Sequence, residues 1–256
     1  MTWISPDITL LGFVAAVAVT LFAGFVKGTI GFAMPMIMIS AFSSFLTPHQ
    51  ALAGLILPTL ITNVAQAFRQ GVPAAVQTAK DYRRFLIATL VMLVISAQFV
   101  EVIPRGLFLF LLGGPITVFA ALQLAGVNLS VQLEHRGRAE WILGAVGGLY
   151  GGVSGVWGPP LLVYLLSVGA DKVETVRVQG VIFLTGAVVL LAAHLGTGVM
   201  DRPNLLFSAA LVLPAVLGQR IGFTVQGRLD QTKFRSWTQS LLVLTGLNLV
   251  IRAIFT

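Results

Sequence analysis

With 256 residues, 57% hydrophobic and only 10% charged, and a mean hydropathy of +0.94, this chain cannot cover a water-facing surface, for which a soluble domain carries about 25% charged residues. The composition excludes a soluble domain and dictates an integral membrane protein. The net charge of +7 belongs to Lys- and Arg-rich cytoplasmic loops rather than to a nucleic-acid partner, and the absence of cysteine excludes disulfides and Cys-ligated metals.

Met1 to Asp7 holds no Lys or Arg ahead of the first apolar run and no small-residue cleavage site, so no removable signal peptide is expected. Apolar runs follow near 8–26, 30–46, 50–68, 85–103 and 106–126, then near 141–153, 159–169, 173–195, 204–222 and 234–255. Polar breaks separate them, the longest being Arg69 to Arg84, Asn128 to Glu140 and Gln226 to Arg235. A crossing helix takes about 20 apolar residues, which makes the expectation two repeats of about five segments: 1–127, a cytoplasmic linker at 128–140, and 141–256. The 141–153 and 159–169 runs are too short to cross, and read as half-helices meeting at a broken turn. The first pair, 8–26 and 30–46, is longer and is expected to cross more completely.

The break carries a repeated motif. Gly24, Gly28, Gly31 and Pro35 return 124 positions later as Gly148, Gly152, Gly155 and Pro159. Glycines four apart let helices approach closely. Duplicated Gly/Pro-interrupted apolar segments also mark the binding site of secondary transporters, where half-helix N-termini suit an anion. Both readings stand at this point.

Charge sets the orientation. With the Arg69–Arg84 loop inside, alternating crossings place twelve cations inside, including Arg136, Arg138, Lys172, Arg177 and Arg220 to Arg235. Only Arg105, Arg202 and Arg252 fall outside, a strong positive-inside bias. The same path inverts the second repeat relative to the first.

Candidate substrate-binding residues gather on the motif and its neighbours: Lys27, Gly28, Thr29, Gly31, Asn63, Gln66, Gly152, Ser154, Gly155, Trp157 and Gln179. Lys27 either snorkels to headgroups or lies near an anion path. Thr59, Asn63 and Gln66 share one helix face, either bonding between helices or contacting a ligand. Trp157 and Tyr164 either pack or close a cavity. His49, His135 and His194 are scattered, so no metal site is expected, and no cofactor. All nine carboxylates lie at or beyond segment ends, so no carboxylate relay is expected either. Neither a nucleophile elbow nor a phosphate-binding loop or zinc helix is present, so the chain does not read as an enzyme.

On these residues the chain resembles the sulfite exporter TauE/SafE family, also described as the toluenesulfonate-uptake permease group. The resemblance rests on Gly24 to Gly31, its second copy Gly148 to Gly155 followed by Trp157-Gly158-Pro159-Pro160, on Pro48-His49-Gln50-Ala51, on Asn63, and on Gly71 and Gly196. It departs at Phe32-Ala33-Met34, where many members carry glycines. The resemblance implies an all-α, multi-pass permease of the bacterial inner membrane. Such a protein takes a small anion such as sulfite or an organosulfonate, exports it, and works by alternating access at the repeat interface. Its partners would be that anion and the bilayer, with room for a homodimer and no nucleic acid. A non-transporting sensor or assembly subunit, and an anion channel, are the alternatives.

Overall fold

Apolar chain in lipid must satisfy every backbone N–H and C=O internally, and helices do so. The computed structural model describes residues 8–100, 102–130, 134–225, 228 and 230–255. Met1–Asp7, Glu101 and residues 131–133 of the linker, named above, lie outside the described residues. Twelve helices and no strand are found among those described: α1 (Leu10–Ile30), α2 (Met34–Phe42), α3 (Pro48–Ala67), α4 (Val72–Asp81), α5 (Arg83–Ala97), α6 (Arg105–Leu124), α7 (Arg136–Ser154), α8 (Gly158–Ser167), α9 (Lys172–Thr197), α10 (Arg202–Ala210), α11 (Val212–Val225) and α12 (Gln231–Ile254).

Among the described residues, six stretches are long and apolar enough to cross a membrane: Leu10–Ile30, Pro48–Ala67, Arg105–Leu124, Val173–Thr197, Arg202–Val225 and Thr232–Ile254. The other apolar runs fold as shorter or less apolar helices. Two expectations are corrected here. The Arg69–Arg84 break contains α4, started by Pro73 in its first turn after Gly71. Alternation of Ala75 and Thr78 with charged and polar neighbours hid this helix, whose Ala75 packs with Ala67 and Val181. The 141–153 run belongs to a 19-residue helix that begins at Arg136, so Glu140 lies inside a helix and is buried. In both pairs a long helix precedes a short one, 21 then 9 residues for α1 and α2, 19 then 10 for α7 and α8, and of the two long helices α1 is the one long and apolar enough to cross.

Two compact units form, and each draws on both sequence halves. The first holds α1, α2, α6, α10, α11, α12 and α3 as far as Pro58; the second holds the rest of α3 with α4, α5, α7, α8 and α9. The boundary in α3 falls at a proline, where the helix lacks one backbone hydrogen bond.

Glycine seams hold each unit. In the first, Gly24 faces the carbonyl of Ala215 and Gly28 that of Gln219, while Gly218 and Gly222 face those of Leu21 and Phe25. That rising register makes α1 and α11 parallel. Beside them α6 and α12 run antiparallel, since Gly113 meets Gly246 while Gly106 meets Ala253 and Gln123 accepts from Arg235. In the second unit Gly144, Gly148 and Gly152 rest on the α5 backbone at Phe85, Thr89 and Leu93, again in parallel. Thr89 and Ser96 donate across this seam to the carbonyls of Gly144 and Gly148, both at 3.1 Å. Lipid supplies no hydrophobic drive for helix pairing, so close backbone approach and such hydroxyl bonds supply the cohesion.

The polar ends of the second unit's helices meet. Arg177 bonds Gln70 at 2.7 Å and Thr78 at 2.9 Å, Tyr82 donates to Glu174 at 2.7 Å, and Arg136 and Glu140 hold Tyr164. The three connections expected on the cytoplasmic side, Arg69–Arg84, the linker end and the start of α9, thus share one end of this unit.

Candidate functional site

Most of the candidate residues belong to two helix breaks, one in each unit; Asn63, Gln66 and Gln179 lie within α3 and α9. In the first unit α1 ends because Gly31 turns left-handed at φ 87°, its N–H bonding Lys27 O at 2.8 Å. Phe32 follows, and then Ala33 at φ 75°, before Pro35 stands in the first turn of α2. Ala33 is the one left-handed non-glycine among the described residues, at the point where the chain departs from a glycine run. An L-residue there costs on the order of 1–2 kcal/mol, partly offset by the greater chain entropy of glycine. Ala33→Gly should therefore stabilise by up to about 1 kcal/mol, read as a higher melting temperature in detergent; a lower one contradicts the strain.

Lys27 is 2% exposed. Its side chain lies inside the first unit rather than reaching out over the surface. Thr29 is fully buried, but its hydroxyl proton goes to Val26 O at 2.8 Å. Gly28 sits in the α1–α11 seam, where an added Cβ would lie 2.9 Å from Gly222 Cα. Packing thus occupies Gly28, and buried Gln219 of α11 joins it there. Sequence reasoning missed Gln219; a glutamine in an apolar run was the available signal.

The second break is built alike. α7 ends at Gly155, φ 70°, whose N–H bonds Gly151 O at 2.7 Å. Ser154 stitches the break: its hydroxyl donates to Tyr150 O at 2.6 Å and accepts from Val156 N at 3.1 Å. Trp157 caps α8, and Pro159 and Pro160 take two of the four positions whose N–H no helix carbonyl could reach. The N–H groups of Trp157 and Gly158 remain at that end, where the helix dipole favours an anion.

Trp157 is the centre of this break. It is 2% exposed, stacked edge-on to Phe183 at 6.1 Å, and seated on Gly151 and Gly186. Its indole N–H is buried and meets no hydrogen-bond partner among the described residues. Leaving such a donor unsatisfied costs about 1–3 kcal/mol. Gly152, like Gly28, is held in a helix seam.

His194, which the sequence left as one of three scattered histidines, is fully buried against this break. Its Nε2 lies 3.1 Å from Gly152 O, and its Nδ1 lies 3.1 Å from the Thr197 hydroxyl. A carbonyl only accepts, so Nε2 carries the proton. The bond ties α9 to the end of α7.

Asn63, Gln66 and Gln179 are buried in the same unit. Gln66 spends an amide hydrogen on Val176 O at 3.1 Å, and Gly180 lets α9 touch the α3 backbone at Gln66 and Ala67. Gln66 therefore joins helices, while Asn63 and Gln179 offer buried amides nearby in sequence on those same two helices.

Taken together, Thr29, Ser154 and Gln66 have committed donors, Gly28 and Gly152 pack helices, and Trp157 holds an uncommitted one. Groups of three or more His, Asp or Glu residues able to hold a metal are absent among the described residues.

Comparison with known proteins gave no match among curated proteins and none among solved structures. A family model, described as sulfite exporter TauE/SafE, matches residues 16–249, nearly the whole chain. The protein is therefore a multi-pass membrane protein that belongs to the sulfite exporter TauE/SafE family of transporters.

Proposed function

We propose that this protein is a secondary transporter that carries sulfite or a small organosulfonate outward across the bacterial inner membrane. The observation that carries the reading is the buried, unsatisfied indole N–H of Trp157 beside the N-terminus of α8. A sulfur oxyanion presents several acceptor oxygens to such donors, and a helix N-terminus needs no added charge to favour it. Lys27, buried at the end of α1, supplies the cation of the other break. A substrate held by few fixed charges can also leave, as transport requires.

Two inverted repeats, residues 1–127 and 141–256 about the 128–140 linker, provide the frame of this reading. The antiparallel packing of α6 on α12, the fifth segments of the two repeats, supports inversion. So does the matched pairing of α1 with α11 and of α7 with α5. Both termini then face the periplasm, and cysteines placed in the 220–235 loop should label only from the cytoplasmic side. Periplasmic labelling there would refute the inversion.

The function is tested with purified protein in a thermal-shift panel of sulfite, sulfate, thiosulfate, small sulfonates and chloride. Stabilisation by sulfite or a sulfonate at concentrations where chloride does nothing is expected. A flat response across the sulfur anions would sink the proposal.

A further inference from the structure

The second unit carries a cavity of about 600 Å³ that the transport reading does not use, lined by Lys80, Asp81, Tyr82, Arg83, Arg84, Arg136, Gly137, Glu140 and Glu174. Its carboxylates already have donors. Glu140 accepts from Tyr164 at 2.6 Å and pairs with Arg136 at 3.4 Å; Glu174 accepts from Tyr82 and Asp81 from Gln77, at 2.7 and 2.8 Å. Burial and the Glu174 carboxylate push the Tyr82 phenol well above its usual range, so it remains a donor committed to Glu174. Lys80, Arg83 and Arg84 are exposed and have no ion pair among the described residues. The Arg84 guanidinium lies against Gly137 in the first turn of α7, where an added Cβ would stand 2.6 Å from its Nη1. No side chain caps that helix end, so its N–H groups add to the positive field. Four cations against three carboxylates leave one positive charge in the cavity.

Exposed apolar side chains follow the cavity-lining residues along both helices. One turn beyond Gly137 stands Trp141, 47% exposed, followed by exposed Ile142, Val146 and Leu149. One turn beyond Arg83 stands exposed Ile87, followed by Val91 and Val94. Side chains four apart share a helix face, so the apolar strip of α5 continues the face of Arg83, and on α7 Trp141 continues the face of Gly137, against which Arg84 lies. An exposed Trp beside a basic cluster is the pattern of a membrane interface. A sulfite ion would leave most of this volume unfilled and would have no use for the apolar strips.

We infer that this cavity holds the headgroup of an anionic phospholipid, its phosphodiester on Arg83, Arg84 and Lys80 and its acyl chains along Trp141, Ile142 and Ile87. A monoanionic phosphoglycerol headgroup matches the single excess charge, and basic pockets at helix ends on the cytoplasmic side suit such headgroups. The lipid thereby bridges the starts of α5 and α7, whose seam holds the second break.

The test is native mass spectrometry of the full-length protein in detergent, titrated with dioctanoyl phosphatidylglycerol, dioctanoyl phosphatidylcholine or inorganic phosphate. One phosphatidylglycerol should be retained at least about tenfold more tightly than phosphatidylcholine, and millimolar phosphate should not displace it. Arg83→Gln with Arg84→Gln should abolish the preference, whereas Arg235→Gln, at a basic residue bonded elsewhere to Gln123, should keep it. Lys80→Gln, which should weaken the preference, serves if the double variant fails to fold. Equal retention of both lipids, an unchanged preference in the Arg83/Arg84 and Lys80 variants, or displacement by phosphate would each overturn the inference. None of these outcomes bears on sulfite binding.

Discussion

Gly148→Leu should yield no folded, extractable protein, and Gly148→Ala should lower stability by about 1–3 kcal/mol. The reason is geometric. Gly148 rests on the Thr89 carbonyl, and even a Cβ would lie 2.9 Å from Met92 Cβ and 3.0 Å from Leu93 N. Backbone cannot step aside as a flexible side chain can, so α5 and α7 must separate. Separation also removes the bonds from Thr89 and Ser96 to α7 carbonyls. Gly196→Ala is the contrast: no atom lies within 4 Å of its added Cβ, and alanine favours the helix by up to about 1 kcal/mol. Melting of detergent-purified variants decides. A Gly148→Leu protein that melts like the parent would show that the seam is not close-packed.

Trp157→Phe should weaken sulfite binding by about 1.5–3 kcal/mol, the range for a hydrogen bond to a charged group, or about 10- to 100-fold in Kd. The substitution keeps an aromatic ring against Phe183 and Gly186 and removes the N–H. Without ligand, the variant should be no less stable than the parent, because an unsatisfied buried donor has gone. A purely structural tryptophan would give the opposite pair of results, lower stability and unchanged affinity. Lys27→Gln should weaken binding over the same range. Calorimetric titration with sulfite, paired with melting of the ligand-free proteins, separates the two roles.

Much of the fold was legible because lipid leaves a chain few choices. Apolar runs became helices, Gly31 and Gly155 end helices, and Pro35 and Pro159 stand in the first turns of the next ones. Two elements escaped for opposite reasons. α4 is too polar to stand out from a basic loop, and α7 begins in charged residues that look like linker. The pairing of α1 with α11 and of α7 with α5 was also hidden, since repeat symmetry in sequence does not say which half a helix packs against.

The site was less legible than the fold. Spacing identified Gly28 and Gly152 but could not show that neighbouring helices press on both. For Thr29, Ser154 and Gln66 the sequence left ligand contact open, because hydrogen-bond partners only three or four residues away, or on a distant helix, leave no trace in composition. Trp157 was read as a packing residue or gate; that its N–H meets no partner among the described residues is a fact of three dimensions. His194 was visible as a polar residue in an apolar run, and its contact with Gly152 O depends wholly on how α9 lies against α7.

Sulfite flux into proteoliposomes of the purified protein tests the central claim most directly. Vesicles containing the parent should equilibrate a sulfite gradient faster than protein-free vesicles, with saturation at high sulfite and competition from a small sulfonate. Trp157→Phe at equal incorporation should slow that flux at least about tenfold. Parent vesicles no faster than protein-free ones would contradict transport, and an unaltered Trp157→Phe rate would contradict the site.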